Sequence, residues 1–143
     1  MMRIFILKDL LSLSSFRCML NFCDLNDARL NEWIDNIHDA GAKPSSATHS
    51  QVPRFPLLDE KGFEAYLAPV NTAGYGMEPD VENTLKAIER TRKKVIAIKP
   101  LAAGKLSPEK SVFEYIYGYT DSIAVGIISE KEMQETYSAA LGC

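Results

Sequence analysis

The sequence of 143 residues lacks several patterns that assign a function directly. Its three cysteines, Cys18, Cys23 and Cys143, form no C-x-x-C pair, so the sequence encodes neither a disulfide framework nor a zinc site. This cysteine usage favours a reducing, cytoplasmic compartment. A G-x-G-x-x-G turn is also missing, which argues against an open sheet that binds nucleotides through such a turn.

A strong excess of one charge and long apolar runs are missing as well. The formal net charge is −3, and lysines and acidic residues are interspersed, so no basic stripe is available for nucleic acid. Every apolar stretch is far shorter than the ~20 residues of a membrane span. We therefore expect neither nucleic acid nor a membrane as partner, and we interpret the segment MMRIFILKDLLSLSSF as part of the structure rather than as a signal peptide.

The composition is that of a globular protein with one core. Hydrophobic residues make up 46% of the chain and charged residues 24%. These fractions and this length suit a single packed domain. We interpret residues 1–143 as one α/β domain, in which 1–25 form an N-terminal segment whose role the pattern does not assign.

Hydrophobic periodicity and capping residues predict four helices. The predicted helices are Asn26 to Ala40, about Asp80 to Arg92, one that starts at Ser107 with Pro108 in its first position, and one that opens on a capping box of Ser129 and Glu132. On the last helix, we expect Met133, Tyr137 and Ala140 to face inward.

Three apolar segments, FEAYLAPV, VIAI and SIAVGI, are predicted as strands, and residues 42–48 are a weaker candidate. FRCMLNF, from Phe16 to Phe22, is a candidate for one more strand. The stretch QVPRFPLLDEKG carries Pro53 and Pro56, so we expect a short irregular connection there.

Strands and helices therefore alternate at roughly 30 residues, which is typical of parallel βα units. An open doubly wound sheet and a (β/α)8 barrel both contain such units. A complete barrel takes about 250 residues, more than this chain has, but the last four βα units of a barrel fit its length. Fully apolar strands such as VIAI indicate that both faces of the sheet are covered.

Several segments in this order resemble one family. KVIAIKPLAAGKL and SIAVGIISEKEMQETYSAA resemble the last two βα units of aldo/keto reductases, which carry a PLxxG turn and then a G-x-x-S-x-E-E segment. Upstream, GAKPSSATHS is similar to the family's strand that ends in Ser-Asn, and YLAPVN to the next strand, which ends near an Asn. The resemblance covers about Asn26 to Leu141 and implies the C-terminal half of a (β/α)8 barrel.

In this family the strand ends of this half hold the cofactor of an NADPH-dependent carbonyl reductase. The resemblance therefore implies NADP(H) as cofactor and a small carbonyl compound as ligand, with the pyrophosphate near the PLAAG turn and the adenosine near 126–129. The cofactor-binding residues that it implies are Ser50, Asn71, Lys99, Leu101, Ala102, Gly104, Lys105, Gly126, Ser129 and Glu135.

The sequence also departs from the family. The catalytic Tyr, Asp, Lys and His of aldo/keto reductases come from the first four strands, and this chain has no counterpart of that region. Ile98 stands where an aromatic residue usually stacks on the nicotinamide, and Glu132 stands where an arginine usually binds the 2′-phosphate. A carboxylate repels a phosphate. The resemblance thus implies a fragment or degenerate half-barrel with a vestigial cofactor site that is inactive alone, and no catalytic residue is assigned.

Two other functions stay open from the residues themselves. A desolvated Lys99 at a strand end would suit an aldolase that forms a Schiff base. Alternatively, the chain is a non-catalytic binding or assembly module, because half a barrel leaves open strand edges and an uncovered inner face that favour self-association. His49 is either a group that polarises a substrate or a hydrogen-bonded loop residue, and Tyr75 in the loop NTAGYGMEP is a candidate to cover a ligand.

Overall fold

The computed structural model describes residues 4–6 and 27–142, with side chains from residue 28 onward. The chain alternates strands and helices as predicted. The elements are β1 (Ile4–Ile6), α1 (Asp27–Asp39), β2 (Ser45–Ala47), α2 (Gln51–Asp59), β3 (Ala65–Pro69), α3 (Val81–Arg90), β4 (Lys94–Ile98), α4 (Lys110–Tyr117), β5 (Ser122–Val125) and α5 (Glu130–Leu141). The candidate strand at Phe16–Phe22 lies outside the described residues.

The five strands form one parallel sheet in the order β1-β5-β4-β3-β2. From β2 to β5, each strand pairs with the next strand along the chain. Parallel crossovers are almost always right-handed, so the stepwise order from β2 to β5 carries α2, α3 and α4 to the same face of the sheet. A doubly wound sheet instead reverses its strand order and has helices on both faces.

The face that carries Tyr66 and Val95 is fully buried. These two residues are paired across β3 and β4, and Ala97 is paired with Ile123 of β5 in the same way. The ring of Tyr66 stacks on Phe55 of α2, with 4.4 Å between the centroids. Such a stack adds about 0.5–1.5 kcal/mol to the burial of the two rings. The helices therefore cover this face and build the core with it.

The opposite face is less covered. Leu67 of β3 and Ile96 of β4 are paired there and are both half-buried, as is Ile98 at the end of β4. The expectation that apolar strands have two covered faces is thus met fully on one side only. VIAI contributes Val95 and Ala97 to the buried face and Ile96 and Ile98 to the half-buried face.

The stretch with two prolines is a helix, so the predicted irregular connection is wrong. Pro53 lies in the first turn of α2, where a backbone N–H has no intrahelical acceptor in any case. Pro56 lies further into the helix and removes one intrahelical hydrogen bond, which lowers the stability of the helix by roughly 3 kcal/mol. Phe55 and Leu58 are fully buried on this helix, and each burial stabilises by about 1.5–3 kcal/mol, which offsets that cost.

The predicted start of α4 at Ser107 is also wrong. The helix begins at Lys110 with Glu109 as its N-cap. The backbone N–H of Glu109 donates to the carbonyl of Ser107 at 3.0 Å, so the chain makes one more turn before it becomes helical. The buried side of the helix is as expected, because Val112, Phe113 and Ile116 are all buried.

At the amino ends of the strands, opposite charges are paired. Lys43 and Glu64, which precede β2 and β3, are 2.7 Å apart, and Lys94 Nζ lies 2.5 Å from Asp121 Oδ1. Asp121 Oδ2 also accepts the backbone N–H of Val95 at 3.0 Å. Burial acts to raise the pKa of Asp121, but the hydrogen bonds from Lys94 and Val95 outweigh it and lower that pKa. These pairs tie neighbouring strands together.

Within the described residues, no helix combines the length and the apolar character that a membrane crossing requires.

Candidate functional site

The connection after β4 has an unusual backbone. Lys99, Ala102 and Ala103 all adopt left-handed conformations, with φ of 53°, 49° and 58°. Side chains other than glycine and asparagine rarely adopt this region, and each such residue stores roughly 1 kcal/mol or more of strain. The turn is closed by the N–H of Ala102, which donates to the carbonyl of Lys99 at 2.9 Å. Strain held in this way clusters at ligand sites.

The connection after β5 leads directly into α5. Ser129 is the N-cap of α5, and its hydroxyl accepts the backbone N–H of Glu132 at 3.2 Å, as the capping box predicts. The carboxylate of Glu132 reaches one residue further back than expected, because its Oε2 accepts the N–H of Ile128 at 2.9 Å. The bond from Ile128 holds the side chain of Glu132 beside the first turn of α5, and the bond to Ser129 holds its backbone.

Between these two connections lies an open cavity of about 840 Å³. Because β4 and β5 are parallel neighbours, their carboxyl ends, with the turns at Pro100 and Gly126, meet at one edge of the sheet. Ile128 stands at this cavity with 93% of its surface exposed. The lining consists of Ile98, Lys99, Pro100, Leu101, Ala103, Gly104, Leu106, Ser107, Pro108, Ala124, Val125, Gly126, Ile128, Glu132, Glu135 and Thr136.

Charges of opposite sign line different parts of this cavity. Lys99 belongs to the connection after β4, whereas Glu132 and Glu135 belong to α5. Lys99 and Lys105 both place their ammonium groups near the ring of Tyr75, with Nζ 5.3 Å and 4.6 Å from its centroid. Within the described chain, neither lysine has a carboxylate partner. The ring therefore gathers two positive charges at the edge of the cavity.

Asn71, which follows β3, forms hydrogen bonds with both Tyr75 and Lys99. Its Nδ2 donates to the carbonyls of Tyr75, at 2.9 Å, and of Lys99, at 3.2 Å, while its Oδ1 accepts the N–H of Tyr75 at 2.8 Å. The side chain is fully buried. Every bond joins it to the backbone, so Asn71 fixes the position of the Tyr75 loop relative to the end of β4.

His49, after β2, lies close to the same loop. A Cβ on Gly76 would come 3.3 Å from its ring, so the loop passes directly over the imidazole. Burial, and after it the positive charge of Lys99, lowers the pKa of His49, although Glu78 acts in the opposite direction. Both effects favour the neutral form of the imidazole.

The residues that the family resemblance implies fall into two groups. Lys99, Leu101, Gly104, Gly126 and Glu135 line the cavity. The others are near its rim or away from it. Ala102 is buried under the turn, Lys105 contacts Tyr75, Ser129 caps α5, Asn71 fixes the Tyr75 loop, and Ser50 is the N-cap of α2.

Sequence reasoning did not find Thr136, which is buried and lines the cavity. The buried residues of α5 are Thr136 and Ala140, whereas Met133 and Tyr137, predicted to face inward, are only half-buried. The i, i+4 spacing of Thr136 and Ala140 indicates that they share one face of the helix. A threonine is, however, weaker evidence that this face is buried than a methionine or a tyrosine. Ser107 and Pro108 line the cavity rather than open α4.

Within residues 4–6 and 27–142, no group of three or more histidine, cysteine or acidic side chains is placed to hold a metal ion.

No family model matches the chain, and no curated protein or solved structure matches it either.

Proposed function

We propose that the chain is an aldo/keto-reductase-like half of a (β/α)8 barrel, in which the ends of β4 and β5 form a vestigial site for a nicotinamide nucleotide. In this proposal the chain binds NADP(H) weakly and does not reduce carbonyl compounds by itself. The observation that carries the proposal is the cavity of about 840 Å³ between two strand ends that the sequence resemblance assigns to the cofactor.

The stepwise strand order supports the barrel part of this proposal. Helices on one face and a half-buried opposite face are expected of a sector cut from a barrel, where the inner face meets the remaining strands. Leu67, Ile96 and Ile98 occupy the positions that would point to such an interior.

The residues present fit one part of the cofactor better than the other. The turn after β4 offers Lys99 and backbone groups around Gly104, so a pyrophosphate beside this turn has a positive charge nearby. A 2′-phosphate fits poorly, because Glu132 and Glu135 place carboxylates along α5. For this reason we derive no reaction step through NADP(H).

The proposal is tested by titrating the full chain with NADPH, with cofactor fluorescence as the readout, and by assaying carbonyl reduction in parallel. We expect saturable but weak binding and no turnover. A flat titration would overturn the binding of NADP(H) at this site. Turnover of a carbonyl substrate would overturn the claim that the chain is inactive alone.

A second candidate function is that of an assembly module, and the structure offers a specific observation in its favour. β2 pairs with β3 on one side and, within the described residues, with no strand on the other. This open edge, together with the half-buried face that carries Leu67 and Ile96, favours association with another chain. Light scattering at high concentration tests this function, since a clean monomer would contradict it.

A further inference from the structure

We infer that the cavity between β4 and β5 selects a dinucleotide whose adenosine ribose keeps a free 2′-hydroxyl, the NAD(H) class, over one that carries a 2′-phosphate. This inference rests on the proposed function and reverses the cofactor preference that the family resemblance implies. The two ligands are nearly equal in size, so the residues of this chain discriminate between them by the substituent at the 2′ position of the ribose.

Glu132 is held in place at the start of α5. Its Oε2 accepts the N–H of Ile128, and its own N–H donates to Ser129, so the carboxylate is anchored at the start of α5. The other carboxylate oxygen keeps its lone pairs available to the cavity that Glu132 lines. A ribose hydroxyl can donate to such an oxygen, whereas a phosphate brings only acceptors.

The part of the cavity beside α5 is bordered by acidic side chains. Glu135 lies three residues after Glu132 and lines the same cavity, so two carboxylates border this part of it, although Glu135 is also paired with Lys131, whose Nζ lies 3.7 Å from its Oε1. A phosphomonoester carries about −1.5 to −2 charges at pH 7. Among the lining residues, the cation is Lys99, which belongs to the opposite connection and lies over Tyr75. A 2′-phosphate beside Glu132 would therefore face repulsion that no cavity-lining cation on α5 offsets.

The general chemistry of dinucleotide sites agrees with this assignment. In doubly wound sheets, an Asp or Glu binds the ribose 2′-hydroxyl of NAD, and an Arg accommodates the 2′-phosphate of NADP. The donor and acceptor logic is the same on any scaffold, because it depends on the ribose substituent and not on the fold. Here the acidic member of that alternative is present at the cavity.

The experiment compares NADH with NADPH on the full chain by fluorescence titration, and ADP-ribose with its 2′-phosphorylated form by calorimetry. We expect the ligands without the 2′-phosphate to bind at least about tenfold more tightly at low salt. The ratio should shrink as the ionic strength rises, because the repulsion acts between partly exposed charges.

Two variants assign the effect to residues. Glu132→Gln should bring the ratio of the two affinities close to one, and Glu135→Gln should lower it by a smaller factor. Glu130→Gln is the matched control, since Glu130 lies in the same first turn but does not line the cavity. Circular dichroism checks that α5 is intact in Glu132→Gln, and Glu135→Gln tests the inference without touching the cap.

The outcomes distinguish a failure of the proposed nucleotide site from a failure of the inferred preference for NAD(H). If neither NADH nor NADPH binds, the proposed nucleotide site is wrong and the inference falls with it. If both bind and NADPH binds as tightly as NADH or more tightly, the nucleotide site stands and the inference is overturned. An unchanged ratio in both Glu132→Gln and Glu135→Gln would overturn the role given to α5.

Discussion

At the amino ends of the strands, lysines and carboxylates are paired between neighbouring strands, whereas Lys99 at the carboxyl ends has no carboxylate partner within the described residues. Lys94 at the start of β4 contacts Asp121, but Lys99 after the end of the same strand lies over an aromatic ring. Charge pairs tie strands together and serve stability, while separated charges beside a cavity are available to a ligand. The two ends of the sheet therefore differ in how their charges are arranged, and under the proposed function the carboxyl end is the one that binds a ligand.

The largest expected effect comes from the buried amide that fixes the carboxyl-end loops. Asn71→Ala removes three hydrogen bonds to the backbone of Tyr75 and Lys99 and leaves those groups without their partner. We expect a loss of about 2–3 kcal/mol in the free energy of unfolding, measured by urea denaturation. The control is Asn36→Ala on α1, whose side chain is exposed and whose loss should cost little. Equal losses in the two variants would contradict the role of Asn71.

The two lysines at opposite ends of β4 test the comparison directly. Lys99→Ala should weaken NADH binding by about tenfold or somewhat less, because a charged group at the cavity is lost, with little change in stability. Lys94→Ala should leave the affinity unchanged and lower stability by at most about 1 kcal/mol, because its ion pair is exposed. If the two variants exchange these effects, the division of tasks between the two ends is wrong.

The amino-end pairs should make stability depend on pH. The pKa of Asp121 is lower in the folded chain than in the unfolded chain, so its contribution is complete above the unfolded value of about 3.9 and is lost as the pH falls through the folded value. The difference in stability between the natural chain and Asp121→Asn should therefore be present at pH 6 and vanish in strong acid. We expect at most about 1 kcal/mol, because the carboxylate is partly exposed and screened. Urea denaturation at a series of pH values measures it, and a difference that persists in strong acid would refute it.

The smallest effect concerns strain at the carboxyl end. Ala103 is exposed and has a φ of 58°, so Ala103→Gly should stabilise the chain by about 0.5–1 kcal/mol. Ala87→Gly is the control in α3, where glycine should destabilise by a similar amount. Thermal denaturation of the two variants should therefore shift in opposite directions. A shift of the same sign would show that the turn after β4 is not strained.

Much of the fold could be predicted from the sequence because apolar strands and amphipathic helices leave regular patterns. VIAI and SIAVGI were both identified as strands, and their parallel pairing is confirmed. The proline-containing helix α2 could not be predicted, because the burial of Phe55 and Leu58 depends on a sheet that local propensity does not contain.

The candidate site could be predicted only in outline. The position of the two turns follows from parallel strands, but the left-handed backbone of Lys99 and Ala102 follows from no residue preference. Glu132 was identified from the sequence both as half of a capping box and as a departure from the family. Its hydrogen bond to Ile128, which holds the carboxylate beside the cavity, required the three-dimensional arrangement.

The place of β1 in the sheet has a consequence for how the chain folds. Each pairing from β2 to β5 joins strands that follow one another in the sequence, but β1 lies against β5, with Ile4 beside Ile123. Contacts between distant segments form late, because a long loop must close before they stabilise anything. We therefore expect the strands from β2 to β5 to pair first and β1 to join the sheet last. The backbone amides of β1 should then exchange their hydrogens faster than those of the other strands.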